Sequence, residues 1–162
     1  MSVTDEFLVS NESYAASFTG PLALAPAREL AIVACMDARL NIFAMLGLRE
    51  GDAHIIRNGG GAVTEDAIRS LAISQRLLGT RRIMLIHHTD CAMQTFTDDE
   101  FKRQVEKKTG IRPPWAPEAF SDLEEDVRQS MRRIKADPFI PHTEATRGFI
   151  FDVATGKLKE VK

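Results

Sequence analysis

The chain of 162 residues has two cysteines and four histidines. Three of these six residues could act on one ion together. His88 and Cys91 are separated by two residues, a spacing that a tight turn can wrap around a metal. Cys35 lies far upstream, at the end of the apolar run Leu30-Ala-Ile-Val-Ala-Cys35. Two thiolates and one imidazole are a donor set that suits zinc, whose catalytic sites are tetrahedral with the fourth position open. Taken singly, each cysteine is equally ordinary as a small buried hydrophobe. That account leaves unexplained why both sit at candidate strand ends with a histidine beside one of them.

Asp37 and Arg39 follow Cys35 at intervals of two. If the chain leaves the strand extended, all three side chains point the same way. Asp37 would then either accept a hydrogen bond from a water on the metal or bind the metal itself as a conditional fourth ligand. Arg39 would hold that carboxylate through a bidentate pair and keep it ionised. A solvated surface pair is the plainer alternative, and would be worth little. Asn58-Gly-Gly-Gly61 lacks both the dinucleotide fingerprint and the P-loop pattern. Glycines between a strand and a helix start let backbone N–H groups approach a small anion, which makes Asn58 and Gly60 the candidate substrate-binding residues. A tight turn alone would also account for them. His87 should face away from His88 as a packed or interface residue. Asp90 serves a ligand or the turn backbone, Trp115 anchors a loop, and His54 and His142 have no evident partner.

These groups converge only if the segments carrying them do. Strand candidates are Leu30–Cys35, Ala53–Arg57, Arg82–His87 and Gly148–Val153, with a hairpin arm at Lys157–Val161 joined around Thr155-Gly156. Between them lie a short helix around Ile42, Met45 and Leu46 that ends near Gly47, and a helix from Thr64 to Leu78 stopped by Gly79. Thr97-Asp-Asp-Glu100 and Ser121-Asp-Leu-Glu124 both read as capping boxes. The second opens a helix with Leu123, Val127, Met131 and Ile134 on one side. Residues 4–18 form a further helix, joined to the rest by a Pro-containing connector that reaches residue 28. Alternating strands and helices predict an α/β fold: a mostly parallel central sheet flanked by helices, with an antiparallel or edge strand near the C-terminus. Ligands in such sheets bind at the carboxyl ends of strands, where Cys35, Asn58 and His88 all fall. The first helix packs on its own sheet or on another subunit.

Composition is that of an ordinary globular chain, 44% hydrophobic and 27% charged, and excludes a disordered or fibrous one. An 18.0 kDa chain is expected to expose about 8,000 Å² when folded and to bury about 69% of its unfolded surface. One domain over residues 1–162 is therefore expected. A formal charge of −2 argues against nucleic-acid or anionic-membrane partners. No run approaches the ~20 apolar residues of a membrane span, and the start lacks a secretory pattern, so a cytoplasmic protein is expected. Two cysteines are too few for a disulfide scaffold.

Together, Cys35-Met-Asp37-Ala-Arg39 and His88-Thr-Asp-Cys91 resemble the β-class carbonic anhydrases, and the likeness extends over about residues 30–160. Arg57-Asn58-Gly-Gly60 stands where that family has Arg-Asn-Ala-Gly, and the short length is similar to its compact branch. The resemblance implies that Cys35, His88 and Cys91 hold one Zn2+ per chain, with water or hydroxide in the fourth position. It implies reversible hydration of CO2 to bicarbonate and a proton, with Asp37 and Arg39 catalytic, in a homo-oligomer that is a dimer or a dimer of dimers. Alternatives are hydrolysis of carbon disulfide or carbonyl sulfide on the same scaffold, or a non-catalytic zinc or redox module pairing Cys35 with Cys91. Two departures stand out: Gly59 in place of Ala, and Ala92 in place of the Gly after the second cysteine. If that turn needs positive φ, Ala92 would narrow the pocket.

Overall fold

Leu30-Ala-Ile-Val-Ala-Cys35 has no polar side chain, and a strand with that composition is stable only where both faces are covered. In a computed structural model, which describes residues 2–162, this segment is β1 (Leu30–Cys35), and Ala31 to Ala34 are completely buried. It lies inside a five-stranded sheet with β2 (Ala53–Asn58), β3 (Arg82–His88), β4 (Thr146–Phe151) and β5 (Leu158–Val161), in the order β2-β1-β3-β4-β5. The first four strands run parallel, and β5 returns antiparallel to β4. The expected α/β architecture is therefore present.

Helices cover both faces. On one side α3 (Glu65–Leu78) and α5 (Leu123–Ala136) contribute Leu71 and Ile134 to a core with Ala31, Val33, Ile83 and Leu85. On the other side Ile32, Ala34 and Ile86 pack with Ile42 of α2 (Ile42–Leu46), and both cysteines join this second cluster. Helix ends follow local chemistry. Gly47 and Gly79 adopt left-handed caps, Thr64 caps α3, and Thr97 with Glu100 forms the expected capping box on α4 (Asp98–Thr109). The second capping box is displaced. Asp122, not Ser121, is the N-cap of α5, and its carboxylate accepts from the N–H of Glu125 at 2.9 Å. Asp and Ser cap comparably well, so a register one residue later needed only the chain geometry to choose it.

The N-terminal helix α1 spans Val3–Ala16, and none of its residues is buried. Its side-chain tie to the body is Tyr14, whose hydroxyl donates to Glu50 at 2.9 Å. Val3, Phe7, Leu8, Val9 and Tyr14 are all exposed. This arm explains why the chain exposes 10,279 Å², well above the about 8,000 Å² expected of a compact monomer of its mass. No helix among the described residues is long and apolar enough to cross a membrane.

Candidate metal centre

Parallel pairing brings the predicted residues together. Cys35 is level with Asn58 across β1 and β2, while Ala34 is level with Ile86 across β1 and β3, so β3 carries His88 to the same end of the sheet. Asp90 then takes a left-handed conformation, φ 53°, which turns the chain back and delivers Cys91. One donor atom each of Cys35, His88 and Cys91 lies within 4.8 Å of the others, and all three residues are buried.

The donors fit a metal. His88 Nδ1 lies 2.8 Å from the carbonyl of Thr89, which can only accept, so Nδ1 carries the hydrogen and the Nε2 lone pair is free. That Nε2 is buried without a hydrogen-bond partner, a costly state for a polar atom unless something else fills its valence. The Cys91 thiol, with the N–H groups of Asp37 and Gly60, holds the Cys35 thiol below its ordinary range, against the opposing effect of burial. The neighbouring Cys35 charge and burial push the Cys91 thiol up. Two thiols sharing one proton are a pair whose second charge needs a cation.

Asp37 sits at the rim. Its Oδ1 accepts from the Arg39 backbone N–H at 2.9 Å and from Nε at 3.0 Å, and its Oδ2 accepts from Nη2 at 2.8 Å. These bonds hold the Asp37 carboxyl well below the usual carboxylate range. Asp37 Oδ2 is also 3.7 Å from His88 Nε2, so the carboxylate borders the triad.

Sequence reasoning missed three supports. Asp90 takes a second share of Arg39: Nη1 donates to its carboxylate at 2.8 Å and Nη2 to its carbonyl at 2.9 Å. Nothing in the sequence announces a left-handed Asp. Arg57 donates from Nε to the carbonyl of Cys35 at 2.9 Å and from Nη2 to that of Asp37 at 2.7 Å, clamping the ligand strand's end. The signal there was an arginine closing the adjacent strand. His87 faces away from His88, as expected, and meets Asp126 of α5 and the carbonyl of Gly61.

Asn58 and Gly60 are beside Cys35. Asn58 donates from Nδ2 to Ala62 O at 2.9 Å, while its buried Oδ1 has no hydrogen-bond partner. Ala92 lies in a short 3-10 turn, Ala92–Gln94, and is not among the positive-φ residues, so the turn does not require glycine. His54 bonds Ser74 at 2.8 Å; Trp115 is exposed, its ring 6.1 Å from that of Phe101. A groove of about 1280 Å³ runs along α3, lined by Trp115 and Phe139 among others and by none of the triad.

Comparison with known proteins agrees with this geometry. The family described as carbonic anhydrase matches residues 30–119. The chain is 62% identical over 161 residues to β-carbonic anhydrase 1 of Mycobacterium tuberculosis, covering 99% of each. It is 34% identical to a carbon disulfide hydrolase of Saccharolobus solfataricus, over 82% of this chain and 77% of that one. Among solved structures, a carbonic anhydrase of Streptococcus mutans superposes with a TM-score of 0.93 at 44% identity, covering 100% of this chain and 99% of that one.

Proposed function

The chain belongs to the β-class carbonic anhydrases and is an enzyme of that family, and from that premise we propose that it hydrates CO2 reversibly to bicarbonate and a proton. Cys35, His88 and Cys91 would hold one zinc ion. The observation that carries this reading is the unpartnered, buried Nε2 of His88 clustered within 4.8 Å with the two buried cysteine sulfurs. When bound, zinc supplies a Lewis acid that makes a water nucleophilic near neutral pH.

The chain's own residues do the rest. Asp37 is ionised and can only accept, so a water at the triad gives its hydrogen to Asp37 and turns a lone pair outward. Arg39 fixes the carboxylate plane through two parallel bonds. The water oxygen forms a C–O bond to the CO2 carbon as one C=O π pair moves onto its oxygen, giving bicarbonate, and the water's proton leaves past Asp37 and the exposed Arg39. Asn58 and Gly60 bound the space in which CO2 is held. Asp37, if freed from Arg39, would be the conditional fourth ligand.

We further propose a homo-oligomer, a dimer or a dimer of dimers, acting in the cytoplasm. Support for assembly comes from α1, whose apolar side chains are covered by nothing in their own chain. The function is tested by CO2 hydration in stopped flow, run beside sulfide release from carbon disulfide and carbonyl sulfide. Hydration without sulfide release supports the proposal. Sulfide release without hydration would transfer the site to the second chemistry.

A further inference from the structure

We propose that His87 is a positioning residue for the metal centre: set against Asp126, its imidazole holds the glycine turn that packs on the backbone of Cys35. This rests on Cys35 being a ligand.

His87 is completely buried, on the face of β3 opposite His88. Its Nε2 lies 3.2 Å from the carbonyl of Gly61, which can only accept, so Nε2 carries a hydrogen and donates it. Its Nδ1 is 2.9 Å from Asp126 Oδ2, a close contact out of line for a hydrogen bond. Asp126 is itself fixed in the first turn of α5, where its N–H donates to Asp122 O at 3.0 Å. The ring of Phe120 flanks the imidazole at 6.1 Å. One buried ring thus ties α5 to the turn Gly59–Gly61.

That turn needs a brace. Three successive glycines are the least restrained backbone available, and Gly60 and Gly61 are both left-handed, φ 80° and 68°. The turn also presses on the ligand strand: a Cβ on Gly61 would stand 2.9 Å from the Cys35 nitrogen. A shift of the turn therefore moves the Cys35 backbone and the sulfur it carries. Groups that orient a metal ligand from behind set its geometry, and their loss costs metal affinity.

The test uses cobalt as the metal and reads the thiolate-to-cobalt charge-transfer absorption with the cobalt affinity. H87L removes the donor, H87Q restores an N–H in reach of Gly61 O without the Asp126 partner, and D126N keeps shape without charge. H87L should shift the band and weaken cobalt binding about 10–100-fold, with H87Q recovering most of both. D126N should shift the band in the same direction by less. A merely structural role would lower thermal stability in all three and leave the band alone. Folded H87L with the wild-type band and affinity overturns the proposal, as does H87Q behaving like H87L. Should H87L not fold, an unshifted band in D126N overturns it instead. A wild-type protein that binds cobalt without any thiolate band removes Cys35 and Cys91 as ligands, and the proposal falls with them. A normal wild-type band with unresponsive variants sinks the His87 role alone.

Discussion

Alanine placed at each of the three turn glycines should produce a graded loss that their chemistry as residues does not predict. At Gly59 φ is not positive, and a Cβ would find only Met93 Sδ at 3.7 Å, an ordinary contact. G59A should be neutral. At Gly60 the backbone is left-handed and the nearest atom is Met93 Cγ at 3.2 Å, the side chain of a flexible residue that can move aside. G60A therefore costs the conformational penalty alone, about 1–2 kcal/mol. At Gly61 the same penalty applies, and the Cβ would stand 2.9 Å from Cys35 N and 3.0 Å from Ala34 C, both backbone of the central strand. Overpacking against atoms that cannot rotate away adds about 1–3 kcal/mol. G61A should thus lose about 2–5 kcal/mol. With about 2–4 °C per kcal/mol for a chain of this size, its melting point should fall by about 10 °C, against about 5 °C for G60A. Thermal unfolding of the metal-loaded proteins measures the series, and metal content reads the displacement of Cys35 in G61A. Equal melting points for G59A and G61A would refute the reasoning.

The remaining expectations concern the metal, the carboxylate and the arm. C91S and H88A should each lose most of the one zinc per chain that three protein ligands predict, measured by elemental analysis; full retention in both would remove the assignment. D37N should keep zinc and lose much of the hydration rate, and wild-type turnover in that variant would refute a catalytic Asp37. Because Arg39 holds the Asp37 carboxyl low, the pair's contribution to stability is complete above the ordinary value of about 3.9 and is lost only as pH falls toward the depressed one. Asp37 thus does not titrate between about pH 6 and 9. If it swings onto the metal, activity rises on the alkaline side because the better ligand displaces it, and R39A moves that rise to higher pH; a flat profile would exclude the swing. Replacing Phe7 and Leu8 of α1 by Glu should reduce the molar mass in light scattering to that of the monomer, and an unchanged mass would show that α1 does not assemble the oligomer.

Local signals carried most of the fold. The strand Leu30–Cys35 was legible because an all-apolar run admits few alternatives, and Gly47, Gly79 and Thr97 end or begin their helices as their chemistry dictates. The cluster of Cys35, His88 and Cys91 was legible from donor type and the two-residue spacing of His88 and Cys91. What was not legible depends on parts distant in the chain. Asp90 grips Arg39 only because a left-handed turn aims it there. His87 meets Asp126 only because α5 packs over β3 and β4. The choice of Asp122 over Ser121 is a contest between equal caps that the helix position decides.

Cys35 ends β1, His88 ends β3 and Cys91 follows just beyond it, on strands that are neighbours in space but separated in sequence by a full crossover through β2 and α3. An ion cannot gather such distant donors from an unfolded chain without closing a long loop first. The sheet closes that loop with its own buried core, which includes Ile32, Val33, Leu85 and Ile86. Metal binding at this centre would thus be largely uncoupled from folding, the reverse of a zinc finger, where the ion is the core. Stripped of its metal, the chain should keep its secondary structure and a cooperative unfolding transition. The metal would then tune a finished scaffold, with a cage that can empty and refill without the protein passing through a disordered state.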